Sequence, residues 1–420
     1  MQITRPRGTS DILPGTTEKW QVIEQTMHRI CREYAYREIR TPIFEHTELF
    51  LRGVGETTDI VEKEMYTFLD KGGRSITLRP EATAAVARAY LENKLFAQPQ
   101  PIKLYCVGPM FRYDRPQAGR LRQFHQFDVE VFGAAGPGAD AEVIALAMDY
   151  LARLGLKDLQ LHINSVGCPE CRQVLPEKLR TYLAGQVGDL CGDCRTRIDR
   201  NPLRVLDCKN EKCRDIGREA PTPLDCLCTA CAEHFEQVRR QLDLLKIGYV
   251  VNPRLVRGLD YYTRTAFEIL FSESGAQNAV GGGGRYDGLM ETIGGASVPG
   301  VGFAIGLERV LLVLERQGVS LETAAPLKAF VAVAGETDEL ATRLLADLRK
   351  EGVAADRDYT GRSLKAQMKY AGKTRVPVVV ITGEDEAARG VAVVRDMATG
   401  EQTEVPVELI AERVRTLSGR

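Results

Sequence analysis

The sequence predicts mixed helix and strand divided among two or three domains, with a cysteine-rich insertion inside the larger part. Three observations predict this. The chain has 420 residues, too many for one ordinary core at roughly 100–200 residues per domain. Strand-like runs alternate with helical periodicity both before residue 166 and after residue 328. Between these stretches, nine of the 11 cysteines fall from Cys168 to Cys231.

The elements follow in chain order. Trp20, Ile23, Met27 and Ile30 are spaced as the buried stripe of a helix over 20–36. Segments 102–107 (IKLYCV), 124–133 (FHQFDVEVFG) and 159–166 (LQLHINSV) are rich in β-branched and aromatic residues, as strands are. A helix lies between the last two: Asp140 serves as N-cap, Val143, Ala147, Tyr150, Leu151 and Leu154 form the stripe, and Gly155 stops it. Residues of about 167–245 change character, with paired cysteines, many charges and few long apolar runs. A strand returns at 265–271 (TAFEILF), followed by the glycine run 281–284 and a helix from about Gly306 to Gln317. Residues 318–328 read as a linker. The strand AFVAV (329–333), a helix near 337–351 and the strand in VPVVVITG (376–383) then give the alternation of a small α/β domain.

Composition excludes several classes. With 44% hydrophobic and 27% charged residues the chain is globular, not disordered, collagenous or coiled-coil. Lys and Arg (56) against Asp and Glu (57) leave a net charge of −1, so a nucleic-acid partner must be held by local patches. No run of 18 apolar residues and no signal-like segment occurs, so a cytoplasmic location, no membrane partner and reduced thiols are expected. Two common phosphate motifs fail. Gly372-Lys373-Thr374 ends like a P-loop, but Gln367 stands where its first glycine is needed; Gly300-Val301-Gly302 begins like a dinucleotide fingerprint, but Ile305 stands at the third glycine.

Without a P-loop, a triphosphate must be held by arginine forks and metal. Three segments offer such arginines. In 108–133 (GPMFRYDRPQAGRLRQFHQFDVEVFG), Arg112 precedes a loop with Arg115, Arg120 and Arg122, and Gln126, Asp128 and Glu130 alternate on one face of the return strand. In 257–268 (RGLDYYTRTAFE), Arg257, Asp260, Tyr261, Tyr262 and Arg264 precede a strand. In 300–310 (GVGFAIGLERV), three glycines lead into a helix bearing Arg309. Each has a bland alternative: a solvated hairpin, strand-edge tyrosines, and a tight strand–helix turn with a surface arginine.

Taken together with RGTSDILP (7–14), TPIFEHTELF (41–50), LRPEATAAVAR (78–88) and GGGGRYDGL (281–289), these segments resemble the histidyl-tRNA synthetases, a class II aminoacyl-tRNA synthetase family. The resemblance covers most of residues 1–320 in order. It implies an α+β fold in which an antiparallel sheet flanked by helices forms a catalytic domain (1–325, with the insertion at about 167–245), and an α/β anticodon-binding domain (326–420). It implies ligation of L-histidine to tRNA(His) through a histidyl-adenylate, with ATP and Mg²⁺, by a homodimer whose interface includes Pro42. Residue by residue, Arg112 matches the arginine that grips the α-phosphate and the histidine carboxylate, Arg309 the one on the γ-phosphate, and Arg257 a family-specific arginine at the α-phosphate. Glu81, Thr83 and Gln126 match residues that take the ammonium group, and Glu130 and Tyr262, beside Tyr261, those that satisfy the imidazole. Asp114 stands where the family usually has glutamate near the adenine amine, one methylene shorter. Arg115 and Gln117 fall where the loop meets the tRNA acceptor end. The closest rival is the non-catalytic paralogue that regulates ATP phosphoribosyltransferase, which usually lacks both RGLDYY and the anticodon domain. Other class II synthetases, or a zinc-ribbon nucleic-acid module without activity, are more distant.

In the insertion, Cys168-x₂-Cys171 and Cys191-x₂-Cys194 lie 19 residues apart and match a zinc pattern. That spacing groups these four, and leaves Cys208, Cys213, Cys228 and Cys231 to complete a second tetrathiolate, with Cys226 spare. Structural Zn²⁺ would stabilise a piece too small for its own core. The alternative is eight reduced, unmetallated thiols. After residue 326, Arg362, Lys365, Lys369, Lys373 and Arg375 form a basic stretch suited to a phosphate backbone, or to a solvated helix face.

Overall fold

A computed structural model describes residues 3–55, 58–200, 202–206, 208, 210–271, 279–323 and 327–418. The chain divides into two compact units, Met1–Glu322 and Thr323–Arg420. The boundary expected at 325/326 lies outside the described residues.

The first unit is built on an eight-stranded sheet: β1 (Arg37–Glu38), β2 (Ile102–Phe111), β3 (Gln123–Phe132), β4 (Leu159–Ser165), β5 (Val250–Val251), β6 (Thr263–Phe271), β7 (Ala279–Arg285) and β8 (Gly300–Gly306). The spatial order is β1-β2-β3-β8-β7-β6-β4-β5. The six inner strands pair antiparallel, and only the short edge strands β1 and β5 are parallel to their neighbours. One face carries Phe127, Val129, Phe267, Ile269, Val301, Phe303 and Ile305, all buried in the main core. It is covered by α1 (Thr17–Glu33), α3 (Pro137–Arg153), α5 (Thr229–Leu244) and α6 (Leu307–Arg316), each giving one apolar stripe to that core. Near the other face stands α2 (Thr83–Glu92), with a three-stranded ribbon of Phe44–His46, Ser75–Leu78 and Tyr66–Leu69.

The glycines at 281–284, read as a separate run, are the body of β7. Likewise GVGFAIG is a full strand, β8, and not merely a turn. Asp140 is also corrected. The N-cap of α3 is Gly136, with Pro137 in the first turn, and Asp140 lies one turn inside with no solvent exposure. There it accepts hydrogen bonds from Arg285 Nε (3.2 Å) and Nη2 (2.5 Å) and contacts His234 Nε2 (3.3 Å). Arg285, also fully buried, donates to the carbonyls of Ala134 and Gly136, so the end of β7 is tied to the starts of α3 and α5. Periodicity alone does not separate a capping aspartate from one buried a turn later, because the partners are about 95 and 145 residues away.

The insertion leaves the sheet after β4. Its first helix, α4 (Pro169–Ala184), is followed by short helices Gly192–Arg200, Leu203–Leu206 and Glu211–Arg218, and α5 brings the chain back. It has a small core of its own, including Leu175, Leu179, Leu183, Cys194 and Cys213.

The second unit is a five-stranded sheet of β9 (Ala329–Val333), β10 (Ala355–Arg357), β11 (Val378–Thr382), β12 (Val391–Asp396) and β13 (Gln402–Pro406) in the order β10-β9-β11-β12-β13. Its first three strands are parallel, with α7 (Asp338–Lys350), α8 (Leu364–Lys373) and α9 (Ile410–Ser418) packed on them. Lys365, Lys369 and Lys373 are exposed at i, i+4, i+8 on α8, one basic stripe.

Burial pushes the Asp140 carboxyl upward, but His234 and Arg285 outweigh it and hold it below the usual carboxylate range. Its stability contribution is therefore present at neutral pH and lost as the pH falls through that lowered value. Replacing Asp140 by Asn leaves the buried Arg285 charge with Asp287 as its remaining carboxylate, at 3.0 Å, an expected loss of about 3 kcal/mol near pH 7. Denaturant unfolding should show the gap from the wild type narrowing below about pH 4.

Candidate active site and cysteine clusters

The site begins with the absence of side chains. On the face of β8 opposite Val301, Phe303 and Ile305 stand only Gly300, Gly302, Ala304 and Gly306. The register sets Gly302 beside Glu130, Ala304 beside Asp128 and Gly306 beside Gln126. A Cβ on Gly302 would lie 2.1 Å from Glu130 Oε2, and one on Gly282 would lie 2.9 Å from Arg257 Nη1. Thus β7 and β8 form a bare floor over which charged side chains from β3 and the Arg257 segment extend.

Over that floor is a cavity of about 380 Å³. Glu81, Thr83, Arg112, Asp114, Gln126, Arg257, Tyr261, Tyr262 and Arg309 all line it, although they come from distant parts of the chain. Glu130 lies just beneath, its carboxylate accepting from the hydroxyl of Tyr286, itself a lining residue. Arg115 and Gln117 do not line the cavity; both are exposed on the β2–β3 loop, where Gln117 bridges to Arg120.

Each arginine is held. Arg112 Nε donates to the carbonyl of Pro80 at 2.8 Å, and its guanidinium lies 5.3 Å from the Phe124 ring centroid. Arg257 Nη1 donates to Glu268 Oε1 at 2.8 Å. Arg309 is no surface charge: its Nε donates to Gly119 O (3.1 Å) and its Nη1 to Ala279 O (2.5 Å). Burial lowers the pKa of Arg112, and burial together with Arg120 and Arg112 lowers that of Arg309. Burial also works against charge on Arg257, but Tyr262 and Glu268 outweigh it. These cations thus crowd one another, an arrangement that favours an anionic ligand. Asp114 does not point freely to a ligand: it pairs with Arg120 Nε at 2.9 Å.

The acceptors are the counterpart. Glu81 Oε2 and Oε1 accept the backbone N–H groups of Thr83 and Ala84, each at 2.9 Å, so this carboxylate caps α2 as well as lining the cavity. Gln126 Oε1, both oxygens of Asp128 and Glu130 Oε1 are buried with no hydrogen-bond partner among the described residues. Burial pushes Glu81, Asp128 and Glu130 upward. Sequence reasoning did not single out Tyr286 and Glu268, and it gave Asp128 no place in the cavity that it lines. Asp128 alternates with Gln126 and Glu130, which is a usable signal; Tyr286 and Glu268 needed the strand pairing.

In the insertion, all eight expected cysteines form two groups, but the grouping is not the expected one. Cys168, Cys171, Cys228 and Cys231 make one cluster, and Cys191, Cys194, Cys208 and Cys213 the other, with sulfurs in each within 4.8 Å of one another. Cys226 is in neither. The groups are nested, because α4 and α5 begin side by side at the base and bring the first and last pairs together. Sulfur separations are 3.6 Å (Cys168–Cys171), 4.0 Å (Cys168–Cys228) and 3.8 Å (Cys191–Cys208). The N–H groups of Cys228 and Cys191 point at Cys171 Sγ (3.1 Å) and Cys213 Sγ (3.2 Å). Burial raises the Cys168 thiol, but hydrogen bonds led by the Cys171 N–H outweigh it and bring it down to about 7. The Cys194 N–H lowers Cys191 to about 7.

Residues 8–175 and 210–310 match the family model for histidyl-tRNA synthetase. The chain belongs to the histidyl-tRNA synthetase family. Residues 328–417 of this synthetase match the model of an anticodon binding domain. Its curated relatives include the histidine–tRNA ligase of Desulforamulus reducens, 63% identical over 96% of this chain and 97% of that one. The ligase of Desulforudis audaxviator is also 63% identical, over 99% of both. The crystal structure of apo histidyl-tRNA synthetase from S. aureus is 42% identical, with a TM-score of 0.84 over 99% of this synthetase and 100% of that chain. A structure described as an ATP phosphoribosyltransferase regulatory subunit/histidyl-tRNA synthetase from Bacillus halodurans is 22% identical with a TM-score of 0.63 over 88% and 97%, a likeness of fold alone.

Tyr286→Phe should destabilise the synthetase by about 1–3 kcal/mol, since it strips a partner from a buried carboxyl. Urea unfolding of the variant and the wild type measures this.

Proposed function

We infer that this cavity is where the chain, a histidine–tRNA ligase, activates L-histidine with ATP before passing it to tRNA(His). The histidine carboxylate attacks the α-phosphorus, pyrophosphate leaves, and the histidyl-adenylate then acylates a terminal ribose hydroxyl of the tRNA with release of AMP. The observation that carries this reading is the convergence of three held arginines and a row of unpartnered acceptors in one cavity. Full-length identity of up to 63% to histidine–tRNA ligases also disfavours the regulatory paralogue.

Negative charge grows on the α-phosphoryl oxygens during attack. Arg112 and Arg257, fixed before the substrate arrives, stabilise it without reorganising, and Arg309 holds the γ-phosphate. Glu64, and Glu268 through the oxygen that Arg257 does not take, are lining oxygen donors that would hold a magnesium ion carried by ATP, whose charge would offset that of the phosphates. Glu81, Thr83 and Gln126 receive the ammonium group, and Glu130 with Tyr262, beside Tyr261, the imidazole nitrogens. Polar partners this buried would reject a ligand lacking the nitrogens by up to ~10⁴–10⁵. Asp114, engaged by Arg120, would take the adenine amine only by sharing its carboxylate. Exposure of Arg115 and Gln117 supports contact with the tRNA acceptor end, and the α8 basic stripe supports contact with the phosphate backbone near the anticodon. Exposed Ile43, Phe44, Phe68 and Leu69 around Pro42 and the ribbon support a homodimer through that region.

Both thiolate clusters are proposed to hold structural Zn²⁺. Four sulfurs about 2.3 Å from a tetrahedral zinc stand about 3.8 Å apart, close to the separations observed and far from a disulfide.

Three measurements test these assignments. Pyrophosphate exchange should depend on L-histidine and on no other amino acid, and Arg257→Ala should lose adenylate formation far more than calorimetric histidine affinity; equal losses would remove that role. Metal analysis should find two zinc ions per chain, and the double variant Cys168→Ser/Cys171→Ser should keep one. Loss of both, or none in the wild type, contradicts two independent zinc sites.

A further inference from the structure

We propose that Asp128 is a ligand-binding residue whose carboxylate accepts hydrogen bonds from the α-ammonium group of the bound amino acid. The inference rests on the reading of the cavity as a histidine-activation site and adds a residue that the family resemblance did not assign.

Asp128 stands in the middle of the β3 row, between Gln126 and Glu130, with the bare Ala304 position on one side and Cys106 on the other. It lines the cavity, is 1% exposed, and neither oxygen has a hydrogen-bond partner among the described residues. Its neighbours differ. Each Glu81 oxygen already accepts a helix N–H, and one oxygen of Glu130 accepts from Tyr286. Gln126 is neutral. Asp128 therefore combines a full acceptor set with the ability to carry the balancing charge.

A carboxylate buried without partners is costly, and such groups in folded proteins normally serve a ligand or a network. The nearby arginines do not fill the role. Arg79 bonds the carbonyls of Pro109 and Thr41 and the Thr41 hydroxyl, Arg112 Nε bonds the carbonyl of Pro80, and neither arginine reaches an Asp128 oxygen. What remains is a small cation with several N–H donors, and a primary ammonium has three. ATP brings no such group, whereas a free amino acid does. Glu81 and Arg112 are among the charges acting on Asp128. That is the end of the cavity assigned above to the ammonium and carboxylate. Burial, followed by Glu81, pushes the Asp128 carboxyl well upward, which agrees with a group that becomes charged only against a cation.

Calorimetric titration of the full chain with two ligands tests this: L-histidine, and imidazole-4-propionate, which keeps the ring and carboxylate but lacks the amine. Asp128→Asn should weaken L-histidine roughly 10- to 100-fold, the size of a lost charge-assisted hydrogen bond, and change imidazole-4-propionate less than about twofold. The melting temperature should stay level or rise, since a buried unpaired carboxyl is removed; Asp128→Ser serves if the asparagine variant does not fold. Equal weakening of both ligands, or of neither, overturns the proposal. Wild-type protein that binds no L-histidine would instead overturn the reading of the cavity itself.

Discussion

The first unit depends on a constraint of space: two adjacent central strands must be bare on one face. Charged side chains can be buried on a sheet only where neighbouring strands leave room for them. The Gly/Ala face of β8 and the glycines of β7 leave that room for Glu130, Asp128 and Arg257. Glycine in a strand weakens it, because it gains no packing and loses conformational entropy. Here the opposite face compensates, with Phe303, Ile305 and Val301 fixed in the main core under four helices.

From this floor the electrostatics follow. Three arginines that would repel one another in an open pocket are each anchored to a backbone carbonyl or to Glu268, so their positions are set before a substrate enters. Among the acceptors, by contrast, Gln126 Oε1, both oxygens of Asp128 and one of Glu130 are left open. Fixed donors suit the anionic ligand and open acceptors suit the cationic one, and the two sets share one cavity. Outside it, Arg285 and Asp140 do the opposite: together with His234, Asp287 and the carbonyls of Ala134 and Gly136 they form a closed network, and so serve architecture.

Much of this was legible in the sequence where the signal is local. Strands β2, β3, β4 and β6 and helices α1, α3 and α6 follow apolar periodicity, and the face shared by Gln126, Asp128 and Glu130 follows from strand alternation. What was not legible depends on partners far along the chain. Asp140 looks like a cap until Arg285 and His234 meet it. Glycines 281–284 read only as a glycine run until their strand neighbours on both sides are known. The cysteine spacing fits a zinc motif made of consecutive pairs, but the starts of α4 and α5 meet, and this brings the first pair to the last. Pair spacing records local geometry only, and topology decides the rest.

That nesting has a mechanical consequence for the insertion. Cys171 and Cys228 are 57 residues apart, so a metal bound at the outer cluster would close a loop of that length at its neck. As a crosslink it would remove about 4 kcal/mol of chain freedom from the unfolded segment. A metal at the inner cluster would fasten the tip separately. The closed segment would still feel the catalytic body beside it, because Arg172 donates to the Asp260 carbonyl (3.0 Å) and Arg254 to the Gly217 carbonyl (3.1 Å), on either side of Arg257.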